Sequence, residues 1–125
     1  MATIVEALQV AQLQLQHSRF DVAEEVYRRI VVADPSCAPA WWGLGLIAYQ
    51  KSLYDSAIQN LRTAIELVPE WADAHSALAS VLLKWGNLNE AAASYRRSLE
   101  LNPTSPDAAF NLGTILRHWL SKPTH

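Results

Sequence analysis

Residues 38–71 read APAWWGLGLIAYQKSLYDSAIQNLRTAIELVPEW: a small-and-apolar run, a polar turn, then a second amphipathic run that ends on a proline. The landmarks of this stretch recur at a fixed interval. Pro35, Pro69 and Pro103 stand 34 residues apart, and Ala23, Ala57 and Ala91 keep the same spacing. Self-similarity at this period marks a repeat array, whose units bury their apolar faces by stacking on their neighbours. The surface such an array leaves over is long and suited to holding another chain.

Other columns of the same frame describe how the helices meet. Val10, Leu44, Leu78 and Leu112 are each followed by a small residue, Ala11, Gly45, Ala79 and Gly113. A small side chain lets a facing helix approach to the lower end of the usual range of about 8–10 Å. Ala23, Ala57 and Ala91 make the same provision on the second helix, and Tyr27, Leu61 and Tyr95, four residues on, supply bulk on the same face. The pattern predicts seven helices in one domain, antiparallel within pairs, with units over 4–37, 38–71 and 72–105, a single helix over 106–120 and a tail over 121–125. Each of the three prolines should end a second helix, because the residue before a proline is pushed out of the helical region. Ser105 before Pro106 reads as a helix start, as does Cys37-Ala38-Pro39. Asn87 with Glu90 reads as a capping box, and Ser18 with Asp21 and Ser52 with Asp55 as related pairs.

With Trp41, Leu44, Gly45, Tyr54, Ala57, Ala64 and Pro69 at their spacing in the second unit, and Leu78, Ala79, Gly86, Ala91, Tyr95 and Pro103 in the third, the chain resembles the tetratricopeptide repeat family over nearly its whole length. The first unit diverges, with Ala7 in the tryptophan column and Ile30 in a small-residue column. The resemblance implies an all-α, right-handed α-solenoid of antiparallel helix pairs that acts by binding protein.

Composition and motifs close off other classes. Half of the residues are hydrophobic and the net charge is −2, which offers no footprint for a nucleic-acid backbone. The paired cations Arg28-Arg29 and Arg96-Arg97 lie on second helices and read as solvated faces. The amino-terminal residues 1–16 carry no basic leader and no long apolar run, so neither a secretory signal nor membrane insertion is expected, and a cytoplasmic location follows by default. Cys37 is the single cysteine, and His17, His75, His118 and His125 lack ligand spacing, so no metal site is expected. No phosphate loop or nucleophile elbow appears, and no pair of carboxylates is placed by helical spacing in an expected pocket, Glu24-Glu25 and Glu100 belonging to outward faces, so the chain is read as no enzyme and as needing no cofactor.

In the resembled family the first helix of each unit lines the concave side. Carried onto this chain, that implies a groove of Leu8, Gln12 and Leu15, then Trp42, Leu46 and Tyr49, then Ser76, Ser80 and Lys84, and finally Phe110 and Arg117. Its middle is apolar and aromatic. The tandem Trp41-Trp42 places two rings about 100° apart on one helix, so both cannot serve the core. Trp41 takes the packing column, and Trp42 is expected to point into the groove as an anchor. Family members that clamp the acidic tails of heat-shock chaperones use lysine, asparagine and arginine where this chain has Leu8, Gln12, Gly43, Asp73 and Ala77, which disfavours that role. The asparagine ladder of O-linked sugar transferases falls on Gln9, Gly43, Ala77 and Asn111, and only Asn111 fits it.

The reading these features support is a non-catalytic module that binds a peptide or an amphipathic helix. Two alternatives stand beside it. Ile115, Leu116, Trp119 and Leu120 on the unpaired last helix could join two copies into a homodimer. The chain could also be the leading segment of a larger bacterial transferase.

Overall fold

The computed structural model describes residues 3–121. Within them run seven helices: α1 (Ile4–Gln16), α2 (Phe20–Ala33), α3 (Ala38–Gln50), α4 (Tyr54–Leu67), α5 (Ala72–Trp85), α6 (Leu88–Leu101) and α7 (Pro106–Leu120). They fall into two compact units, one of α1–α4 ending at Pro69 and one of α5–α7 beginning at Glu70. Of the expected tail, Ser121 is described and 122–125 lie outside the described residues, as does His125 of the four histidines.

The prolines end helices as their chemistry requires. Asp34, Val68 and Asn102, each immediately before a proline, leave the helical region with φ of −144°, −135° and −140° and close α2, α4 and α6. At α7 the Ser105 side chain accepts from the Ala108 N–H and Pro106 sits in the first turn. The Asn87 side chain accepts from the Glu90 N–H at 3.3 Å, the contact that the expected capping box calls for. The Asn87 N–H itself is taken by Leu82 O.

Ser18 and Ser52 differ from expectation. Arg19 and Leu53 are the N-caps of α2 and α4, without side-chain bonds. The two serines instead adopt left-handed backbone, φ 58° and 60°, in the column that holds Gly86 at φ 100°. At each of these turns an N–H reaches back five residues: Arg19 to Gln14 O, Leu53 to Ala48 O, Asn87 to Leu82 O. This is the Schellman closure, which needs a left-handed residue just past the helix and therefore favours glycine. Asp21 is drawn elsewhere, pairing at 3.0 Å with Lys51, which also meets Glu24 at 3.2 Å. The bonds from Asp21 and then Glu24 hold the Lys51 ammonium above its usual pKa. Because Ser52 is exposed, Ser52→Gly should raise stability by about 0.5–1 kcal/mol by relieving left-handed strain. Urea unfolding checks this, and an unchanged midpoint would contradict it.

In the first unit α1 packs on α2, α2 on α3, and α3 on α4, with α1 also touching α3. Its core gathers Ala11, Ala23, Tyr27, Ile30, Ala40, Leu44 and Ile47. The small residues are placed where rings and branches lie. A Cβ on Gly43 would fall 2.3 Å from the Tyr27 ring, and one on Gly45 2.6 Å from Leu61 Cγ. Val10 breaks the column set by Leu44 and Leu78, being 47% exposed against their 7%. In the second unit α5 packs on α6 and α6 on α7.

Candidate functional site

The sequence-expected groove residues divide between the two units. Leu8, Gln12 and Leu15 lie on α1, and Trp42, Leu46 and Tyr49 on α3. Each trio is spaced at i, i+4, i+7 and so forms one stripe along its helix. The two helices touch. Leu8 and Leu15 are half-buried against the core of the first unit, while Gln12 is exposed. Trp42, Leu46 and Tyr49 are all half-buried, and from Ala38 to Tyr49 no residue of α3 is classed as exposed.

The two tryptophans take different surroundings. Trp41 packs against the core and its indole N–H donates to Pro35 O at 2.8 Å, so the ring ties α3 to the turn before it. Trp42 has its indole Nε1 enclosed while the residue as a whole is half-buried. Tyr49 is braced by Tyr54 at the α3–α4 turn, with ring centroids 6.1 Å apart and planes tilted by 45°. This bracing limits the freedom that Tyr49 would lose on gripping a ligand.

In the second unit, Ser76 and Ser80 turn their hydroxyls to α6. Ser80 meets the Tyr95 hydroxyl at 3.0 Å and donates to Ser76 O at 3.1 Å; Ser76 meets Ser98, and Ser98 donates to Ala72 O at 3.2 Å. Ser76 answers Ser98, which is 1% exposed in the column that holds Ile30 and Ala64, and Ser80 answers Tyr95, also 1% exposed. Hydroxyls buried there must find partners, and Ser76 and Ser80 of α5 supply one each. Lys84 and Arg117 are exposed, and Phe110 is 74% exposed.

A cleft of about 320 Å³ lies between α2, α3 and α4, floored by Trp41, Leu44 and Ala48 and walled by Gln59 and Asn60. Its rim carries the Glu24–Arg28 ion pair at 3.3 Å. The signal for it was the packing column itself, because Trp41 stays only half-buried. Among the described residues no cluster of three metal-ligating side chains occurs, Cys37 is buried as a free thiol, and no helix is long and apolar enough to cross a membrane.

Known proteins bear on this arrangement. Two family models, both described as tetratricopeptide repeat, match the chain, one over 8–75 and 48–106 and the other over 94–119. No curated protein matches it. Among solved structures it is similar to the first TPR of Spaghetti (RPAP3) bound to the HSP90 peptide SRMEEVD, at TM-score 0.89 and 20% identity, covering 94% of each chain. It is similar to a Thermobaculum terrenum O-GlcNAc transferase at TM-score 0.87 and 27% identity, covering 93% of this chain and 23% of that one. It is also similar to YrrB, described as a TPR protein with an unusual peptide-binding site, at TM-score 0.85 and 25% identity, covering 94% of this chain and 60% of that one. The fold class is the all-α solenoid.

Proposed function

Because the chain belongs to the tetratricopeptide repeat family, we propose that it is a protein-interaction module which holds a peptide or an amphipathic helix by apolar contact on the first unit. The observation that carries this reading is the pair of apolar stripes on α1 and α3, two helices that touch. Trp42, Leu46 and Tyr49 form the centre, with Leu8 and Leu15 beside them and Gln12 offering an amide at the edge. A half-buried aromatic in such a strip is the usual interface anchor, rigid before binding and so inexpensive to order.

Peptide ligands appear in the descriptions of two similar structures, which supports a peptide as the class of partner. Acidic tails fit less well, since Leu8, Gly43, Asp73 and Ala77 provide no cationic donors. The likeness to the transferase spans 23% of that protein, and the groove on α1 and α3 needs only to adhere to its partner. A contact confined to two helices falls below about 1,200 Å² of buried surface, where complexes are weak and transient. Micromolar affinity is therefore expected.

Trp42→Ala should weaken binding of a display-selected peptide at least tenfold, about 1.4 kcal/mol, with the far-UV circular dichroism unchanged. Calorimetric titration of both proteins decides it. Equal affinities would remove Trp42, and with it this site, from the function.

A further inference from the structure

Gly113 occupies the column of Gly45, two repeats on, yet their surroundings are opposite. A Cβ on Gly45 would collide with Leu61 of α4, whereas one on Gly113 would meet nothing within 4 Å. The close-approach seat that α3 fills with α4 is thus present on α7 and uncovered. Ala108 and Ile115 face inward, at 0% and 2% exposure, so Ile115 belongs to the inner side of α7. Helical spacing places Pro106, Ala109, Phe110, Leu116, Arg117 and Leu120 within about 60° of Gly113 on the outer side. Phe110 and Leu120 are 74% and 85% exposed, and Leu116 is half-buried. One cation, Arg117, interrupts this apolar stripe.

We propose that a second copy of this chain covers the stripe, α7 against α7, antiparallel, with the two Gly113 backbones crossing at a two-fold axis. Three features select this occupant. Gly113 is the midpoint of the helix Pro106–Leu120, so a two-fold about it matches both helices over their full length of about 22 Å. In that register residues at similar heights on either side of Gly113, and on the same side of the stripe, face each other: Phe110 lies by Arg117 of the other copy, Ala109 by Leu116, and Pro106 by Leu120. A ring beneath a guanidinium is a favourable cation–π arrangement. Charge is also complementary, because Asp107 in the first turn of one helix sits beside Arg117 in the last turn of the other. The antiparallel dipoles add to the same preference. The contact is isologous and closes at two copies.

Analytical ultracentrifugation of the full chain from micromolar to millimolar concentration tests this. Wild type should show a reversible monomer–dimer equilibrium. Gly113→Glu has open space in the monomer, so circular dichroism should be unchanged while dimerisation weakens at least tenfold. Asp107→Arg should weaken it likewise, and adding Arg117→Asp to the same chain should restore it. A wild type that stays monomeric throughout would overturn the proposal and leave the stripe to a different helix. So would a dimer that survives Gly113→Glu, or a reversed charge pair that fails to recover association. Peptide titration on Trp42 is independent of all these variants, so failure here and failure of the groove reading are separable.

Discussion

Replacing Gly43 by alanine is expected to lower the stability of the first unit by about 2–3 kcal/mol. Helix propensity alone predicts the opposite, since alanine in a helix interior is favoured over glycine by about 0.5–1 kcal/mol. Packing decides the sign. The added carbon would lie 2.3 Å from Tyr27 Cζ and 2.4 Å from Cε2, and Tyr27 is 0% exposed, so the ring has no free direction in which to step aside. Overpacking of a filled core costs about 1–3 kcal/mol, occasionally more. The chain carries its own version of the remedy: one repeat on, the same two columns hold Leu61 and Ala77. Tyr27→Leu added to Gly43→Ala should therefore recover at least half of the loss. Chemical unfolding of the two variants checks both statements, and an unchanged midpoint for Gly43→Ala would show that the ring is not held where the structure puts it.

Tyr27 should also make the fold sensitive to alkali. Burial, and secondarily the charge of Cys37, pushes its pKa up to about 12 from an ordinary value near 10. The neutral phenol is the form the folded state keeps. Below pH 10 both folded and unfolded chains hold the proton, and the contribution is fully present. Between pH 10 and about 12 the unfolded chain ionises first, and stability is lost as pH rises. The loss amounts to about 2–3 kcal/mol from this residue. In Tyr27→Phe that component disappears. At neutral pH the variant should be as stable as wild type or more so, because the Tyr27 hydroxyl is buried with no hydrogen-bond partner among the described residues. Stability of the two proteins measured across pH 8 to 12 tests the difference, and parallel curves would sink it.

How much was legible beforehand depended on whether a residue's role was local. The prolines, the Ser105 cap and the starts of α3, α5 and α7 fell where the 34-residue frame put them, because each follows from backbone sterics within a few residues. Ser18 and Ser52 misled for the same local reason. Serine before an acidic residue reads as a cap, whereas the turn closure required a left-handed residue at that place. Column arithmetic likewise put Ser76 and Ser80 with the groove rows. Ser98 and Tyr95, from another helix, draw the hydroxyls of Ser76 and Ser80 respectively to α6.

The sequence by itself determined the repeat, its helices and the pairing of small with large residues, since periodic burial and helix termini are properties of short windows. Only the tertiary structure decided that Gly43 is needed under Tyr27 while Gly113 is open, that Trp41 ties a turn while Trp42 is half-covered, and that Val10 lies exposed. The physical reason is that identical columns acquire different roles according to whether a neighbouring helix is there to fill them, and that neighbour is fixed by packing across the chain rather than by any residue's own surroundings in sequence.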